Sequence, residues 1–233
     1  MVISSFPPVE TADEHGLLAI GGDLDVESLL LAYRSGIFPW PMNEEFITWF
    51  APPTRFILFF EELHISRSLK RLLKQHKFAL RCNTNFSAVV EKCAESTNRE
   101  GQDGTWVTED IRQGYQNLHE AGHAHSVEAY QDGELVGGIY GVHIGKMFAG
   151  ESMFYRQTGA SKVCLCALVG ILQSQGCTWL DCQVQTHTLE KFGARELLRT
   201  DFMEILQVKV ETEPELFFPK GELTEKFELE ILK

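Results

Sequence analysis

Asp181 and Gln183 stand two residues apart in the stretch Trp179-Leu180-Asp181-Cys182-Gln183-Val184. Read as a strand, this stretch turns Leu180, Cys182 and Val184 to one face and Asp181 with Gln183 to the other. A carboxylate beside a carboxamide, on a strand whose other face is apolar, can hold an amine or a carbonyl. The same spacing also suits an ordinary strand with one solvated face, so what surrounds it has to decide. A second chemical feature is a run of cations. His64–Phe78 holds Arg67, Lys70, Arg71, Lys74 and Lys77 and no acid, in a chain whose net charge is -12. That overall charge excludes a protein that coats nucleic acid generally. One basic helix in an acidic chain can still meet a partner's phosphates.

The elements that must place these residues are read from periodicity and caps. The apolar run Val163–Leu172 reads as a buried helix, capped by Ser161 and stopped by Gly176 ahead of the Asp181 strand. Ser66 caps the basic helix, whose buried stripe is Leu69, Leu72 and Leu73. Asp25 and Gly36 bracket a helix over Val26–Arg34. Phe38, Trp40 and Trp49 form an aromatic knot, and Pro39 and Pro41 bar a central strand there. Phe56–Phe60 and Phe78–Cys82 read as strands, Asn85–Cys93 as a helix. Thr108 caps a further helix containing Tyr115. Asp132-Gly133 is a hairpin turn between strands 125–130 and 134–142. Gly137, Gly138 and Gly141 inside the second strand mark a bulge or a close backbone approach. A third strand runs from Lys146 into Gly150-Glu151-Ser152-Met153-Phe154. A short helix at 187–192, a strand at 195–199 and a helix from Asp201 follow. The tail from Glu211 is expected to lie over the surface without adding an element.

The expected fold is α/β (α+β): a small N-terminal domain over residues 1–60 and, over 61–233, a C-terminal N-acetyltransferase-like (GNAT-type) domain. In such a layer an antiparallel meander feeds a helix and then a parallel strand, and substrate enters where the sheet splays. Six cysteines without a CxxC pair, at 82, 93, 164, 166, 177 and 182, read as buried thiols of a cytoplasmic protein. The sequence shows neither a run of apolar residues long enough to span a membrane nor a signal peptide.

Two motifs offer rival chemistry. His119-Glu120-Ala121-Gly122-His123 has zinc-hydrolase spacing. That site needs both histidines on one face of a continuing helix and a third ligand. Gly122 reads as the helix stop and no third ligand is evident, so the histidines read as capping or packing groups. Arg156-Gln157-Thr158-Gly159-Ala160-Ser161 partly matches the loop that cradles the pyrophosphate of acetyl-coenzyme A at a helix start. A coenzyme A-dependent acyltransferase is therefore the alternative.

Eight pieces in order resemble the leucyl/phenylalanyl-tRNA–protein transferase family over residues 5–210. They are Gly21-Gly22-Asp23-Leu24, Tyr33–Trp40, His64–Ser68, Gly104-Thr105-Trp106, Leu118–Ser126, Leu135–Gly141, Gly150–Phe154 and Asp181-Cys182-Gln183. The resemblance implies an enzyme that moves Leu or Phe, and Met less well, from aminoacyl-tRNA to the α-amino group of proteins beginning with Lys or Arg. Such tagging feeds the N-degron (N-end rule) route of protein degradation. It implies no metal and no coenzyme A, and the HEAGHAH stretch belongs to the family pattern; a cytoplasmic monomer with no membrane partner is expected. Asp181 and Gln183 are then the catalytic pair, with Asp181 polarising Gln183 and Gln183 orienting the amine. Glu151 takes the acceptor's cationic residue. Ile139, Phe148, Gly150, Met153, Leu165, Leu168 and Leu180 line the amino-acid pocket. Trp49, Trp106 and Tyr115 lie by the terminal adenosine, and Arg67, Lys70, Arg71, Lys74 and Lys77 meet acceptor-stem phosphates.

Overall fold

The structure is a computed structural model and describes residues 2–40, 46–95, 108–212 and 216–224. The N-terminal part holds β1 (Leu17–Ile20), α1 (Val26–Arg34), β2 (Phe38–Pro39) and β3 (Thr48–Phe50). Next come β4 (Thr54–Phe59), α2 (Arg67–Leu73), β5 (Ala79–Cys82), α3 (Phe86–Glu95) and α4 (Glu109–Glu120). The meander is β6 (Ala124–Gln131), β7 (Glu134–Ile144) and β8 (Met147–Tyr155). It leads into α5 (Ala160–Gln173), β9 (Trp179–Asp181), α6 (His187–Lys191), β10 (Arg195–Leu198), α7 (Arg199–Thr212) and β11 (Gly221–Glu222).

The strands form a small sheet, β1-β3-β2, and a large one, β10-β4-β9-β8-β7-β6-β5-β11. This is the mixed α/β architecture expected. Pro39 sits in the edge strand of the small sheet, where its missing N–H costs nothing. Every pairing in the large sheet is antiparallel except β8–β9, which share the single parallel pair Ala149 and Asp181. Beyond that pair the two strands part.

Strand alternation divides the core between the sheet's faces. Phe56, Leu58, Leu80, Val127, Ile139, Phe148 and Leu180 join one cluster with α5. Ile57, Tyr140, Val142, Ala149 and Trp179 join the other with α1, α3, α4 and α7. Helix α5 is buried all round from Val163 to Leu172, as its unbroken apolar run demands. Ser66 and Thr108 cap α2 and α4 by accepting the backbone N–H of Leu69 and Ile111.

Four expectations change. β4, assigned to residues 1–60, pairs with β9 and β10 inside the large sheet, so the small sheet ends at Phe50. Its Phe56 and Leu58 bury against the α5 cluster, which the small sheet cannot supply. The start of α5 is capped by Gly159 at φ +88°, and Ser161 is buried in its first turn. Helix α7 begins at Arg199, whose N–H is donated to the Pro53 carbonyl. The tail does add an element: β11 pairs with β5, and Leu216 and Phe218 bury in the core.

The β7 glycines answer to close approaches. A Cβ on Gly137 would lie 2.5 Å from that of Ala160 at the start of α5. A Cβ on Gly141 would lie 2.1 Å from the Ala149 carbonyl oxygen and 2.4 Å from the Phe148 ring. Gly141 also stands where the β7–β8 register shifts: Tyr140 pairs with Ser152 and Gly141 with Gly150. Glu151 is the extra residue at that step. We expect Gly141→Ala to lower the urea midpoint by about 1–3 kcal/mol of stability at unchanged m. An unmoved midpoint would show that this strand contact can relax.

Candidate active site

The point where β8 and β9 part brings together residues from five elements. Glu151, the bulged residue of β8, is 9% exposed. Gln183 donates from Nε2 to its Oε1 at 2.7 Å, across the mouth of the gap. The Tyr33 hydroxyl of α1 lies 2.7 Å from Oε1, and the Tyr115 hydroxyl of α4 lies 2.7 Å from Oε2. The two hydroxyls are 2.8 Å from each other. Burial pushes the Glu151 carboxyl from its usual 4.5 up to about 7, and the neighbouring Asp181 adds to the rise; the tyrosine hydroxyls and Arg55 oppose it. Burial and the Glu151 charge hold both tyrosines well above their ordinary range, so both keep their protons.

Asp181 is fully buried, and its carboxylate is gripped by Arg55 of β4 through Nε at 2.9 Å and the terminal nitrogen at 2.7 Å. The same guanidinium donates to the Gly36 carbonyl at 3.1 Å and lies between the Phe38 and Phe202 rings, 4.5 and 4.7 Å from their centroids. This corrects the expected link between Asp181 and Gln183. The carboxylate accepts the backbone N–H of Gln183 at 2.8 Å, and the Gln183 side chain goes to Glu151 instead. The strand ends at Asp181 because Gln183 adopts φ +61°, a left-handed conformation uncommon for a side-chain-bearing residue. The same turn carries Val184 to the α1–α3–α4–α7 side, away from Leu180 and Cys182, with which it was expected to share a face.

The expected pocket residues are largely together. Ile139, Phe148, Leu165, Leu168 and Leu180 belong to one buried cluster, with Met153 packed against it. A Cβ on Gly150 would meet only the Asp181 carbonyl, at 3.6 Å. The aromatic expectations fare differently. Trp49 is fully buried, meets Phe6 edge-on and donates its indole N–H to Gly21 at 2.9 Å, so neither ring face is open to a base. Tyr115 is 1% exposed and stands edge-on to Tyr140, so it holds Glu151 rather than stacking on a base. Trp106 lies outside the described residues. Arg67, Lys70, Arg71, Lys74 and Lys77 are all exposed on and just after α2.

The rival motifs are occupied by packing. α4 stops at Glu120, His119 stacks on Phe86 and bonds the Ala124 carbonyl, and Gly122 has φ +87°. His123 and His125 then sit in or beside β6, against His143. At the start of α5 a Cβ on Gly159 would meet Leu72 of α2 at 2.4 Å, so that loop is covered by a leucine. A surface groove of about 760 Å³ at the opposite end of β9, lined by Phe59, Phe60, Trp179 and Ile205 among others, contains none of the expected site residues. The sequence reading missed Arg55 and Tyr33. Arg55 had a signal: it is a lone cation opening the apolar run 56–60, in step with buried Ile57. Tyr33 opens one of the matched pieces, but its spacing alone only continues the buried stripe of α1 with Leu29 and Ala32.

The raised carboxyl sets a pH dependence. The folded chain holds the Glu151 proton more tightly than the unfolded chain, so this group's effect is harmless below about pH 4.5. Its destabilisation grows as pH rises to about 7 and is complete above that. Glu151→Gln should therefore gain on the parent chain by on the order of 3 kcal/mol between pH 5 and 8, measured by urea unfolding. A pH-independent difference would remove the raised carboxyl.

The family model for leucyl/phenylalanyl-tRNA protein transferase matches residues 57–207, and that for the N-terminal domain of the same transferase matches residues 22–53. The leucyl/phenylalanyl-tRNA–protein transferase of Flavobacterium johnsoniae is 49% identical over 88% of this chain and 96% of its own. That of Saccharophagus degradans is 46% identical over 90% and 86%. Among solved structures, FemX aligns with a TM-score of 0.48 at 10% identity, over 78% of this chain and 71% of its own, a likeness too loose to build on. With both domains matched in order and close to half of the aligned residues shared with such relatives, this chain belongs to the leucyl/phenylalanyl-tRNA–protein transferase family and is an aminoacyltransferase.

Proposed function

We propose that this chain moves Leu or Phe, and Met less well, from aminoacyl-tRNA to the α-amino group of proteins beginning with Lys or Arg, and so marks them for N-degron degradation. The observation that carries the reading is the Gln183–Glu151 bridge across the gap between β8 and β9. It places a carboxamide and a carboxyl beside an apolar cluster, which is what an amine, an ester and a Leu or Phe side chain require together.

The reaction needs no cofactor energy, because the substrate is already an activated ester. The amine nitrogen attacks the ester carbonyl, a C–N bond forms, and the C–O bond to the ribose breaks. The proton shed by the amine ends on the ribose oxygen. Gln183 spends its Nε2 on Glu151, which leaves its carbonyl oxygen to accept from the incoming amine and set its direction. Asp181 works through the Gln183 backbone, which it anchors at 2.8 Å. Glu151 faces the acceptor's cationic end. Ile139, Phe148, Leu165, Leu168 and Leu180, with Gly150 and Met153 at the rim, receive the amino-acid side chain; Met153 adapts to either shape. Arg67, Lys70, Arg71, Lys74 and Lys77 meet acceptor-stem phosphates. The protein acts in the cytoplasm as a monomer. No helix among the described residues is long and apolar enough to cross a membrane.

Radiolabelled Phe-tRNA, offered with a peptide beginning with Arg and a control beginning with Gly, tests this in EDTA and without coenzyme A. Label should reach the Arg peptide alone. Equal labelling of both, or of neither, would contradict the acceptor assignment.

A further inference from the structure

Glu151, Tyr33 and Tyr115 form a closed triangle of oxygens. Its three edges, Tyr33 to Oε1, Tyr115 to Oε2 and hydroxyl to hydroxyl, measure 2.7, 2.7 and 2.8 Å. Each edge is of hydrogen-bond length, and each needs one proton. The tyrosines supply two. With an ionised carboxyl both point at Glu151, and the hydroxyl oxygens face each other at 2.8 Å with no proton between them. With a neutral carboxyl the ring closes: Oε2–H donates to Tyr115, Tyr115 to Tyr33, and Tyr33 to Oε1. Oε1 then serves as the carbonyl oxygen and also accepts from Gln183 Nε2.

We propose that Glu151 is a neutral carboxylic acid in the empty site, locked so by the ring it makes with Tyr33 and Tyr115, and that it gives up this proton when the acceptor's cationic end binds. The second half rests on the proposed acceptor role of Glu151. Tyr33 becomes a positioning residue: it acts on the acceptor through the carboxyl it holds.

The charged and titratable groups facing Glu151 allow this. β4 presents Arg55 and β9 presents Asp181, but these satisfy each other at 2.7 Å, so Arg55, the cation that faces Glu151 among the described residues, is already paired. β7 contributes Tyr140, edge-on to Tyr115. The buried side chains of α3 are Phe86, Val89, Val90 and Cys93, and α7 buries Phe202 and Leu206, so neither presents a buried charge among the described side chains. α5 lies across the sheet and buries apolar residues, thiols and Ser161. Two hydroxyl donors alone would favour the carboxylate; the contact between the hydroxyls reverses the preference. An arriving cation reverses it again, because a carboxylate pairs with it and an acid does not.

Two measurements on the full chain separate the halves. Infrared difference spectra of the parent chain against Glu151→Gln at pH 6 should show the C=O stretch of a protonated carboxyl. Gln is the fit control, since its amide supplies the same donor and acceptor and keeps the ring closed. Tyr33→Phe removes two bonds from the neutral form and one from the ionised form, so the band should titrate away at lower pH. Absence of the band, or a Tyr33→Phe shift to higher pH, would overturn the ring. Titration calorimetry with a peptide beginning with Arg, at pH 6 in two buffers of different ionisation enthalpy, reads the release. At that pH the peptide's own amine is already charged. The parent chain should release roughly one proton per peptide and Glu151→Gln none. Binding with equal heats in both buffers would overturn the release and leave the acceptor role standing. No binding by either protein would overturn the release together with the acceptor reading beneath it.

Discussion

The buried ion pair between Arg55 and Asp181 is the constraint on which the rest of the site depends. Both side chains are withdrawn from water, at 3% and 0% exposure. A lone charge at either position is costly, and removing one partner of such a pair costs about 3–5 kcal/mol. The surrounding structure completes the pair. The Gly36 carbonyl takes another guanidinium proton, and Phe38 and Phe202 cover the guanidinium plane. One side chain thus ties the small sheet, β4 and α7 to the last residue of β9. Asp181 Oδ1, which also takes the Arg55 Nε–H, accepts the Gln183 N–H and holds that residue in a left-handed turn. The placement of Gln183 therefore follows from electrostatics set up behind the sheet, not from the strand itself.

The gap in front of Gln183 has a separate origin in backbone geometry. β8 and β9 run parallel for one residue pair and then part. The register step at Gly141 inserts Glu151 as an extra residue where they separate. A bulge re-aims a side chain, and here it aims the Glu151 carboxyl at Gln183. The hydroxyls of Tyr33 and Tyr115 arrive from helices on one face, and the apolar cluster around α5 lies on the other. Polar groups and an apolar cluster thereby lie on opposite sides of the sheet at this point.

Local chemistry was legible in the chain wherever short-range physics decides. The caps at Ser66 and Thr108, the Asp132-Gly133 turn and the glycines of β7 all do what their types predict. Asp181 and Gln183 do touch, but through the Gln183 backbone N–H and not its side chain, because the period-two strand pattern stops at a turn that only the Gln183 φ reveals. Long-range partners were out of reach. Arg55 and Asp181 are 126 residues apart, and nothing in either neighbourhood names the other. Aromatic residues were the least legible. Trp49 and Tyr115 are large apolar rings whose neighbours do not tell core from base-stacking surface, and both proved to be buried. The tail was misjudged because a two-residue edge strand such as β11 has no periodicity to detect.

The central claim is that Arg55 acts on catalysis through Gln183. It is tested most directly by kcat/KM for Arg55→Lys, Gln183→Ala and the two combined, with Phe-tRNA and an Arg-starting peptide. Lysine keeps the charge and loses the two-pronged grip on Asp181. Arg55→Lys alone should slow transfer about tenfold or more, and in the Gln183→Ala background it should cost almost nothing further. If the two losses simply multiply, the ion pair serves the fold alone, and the account of how Gln183 is placed is wrong.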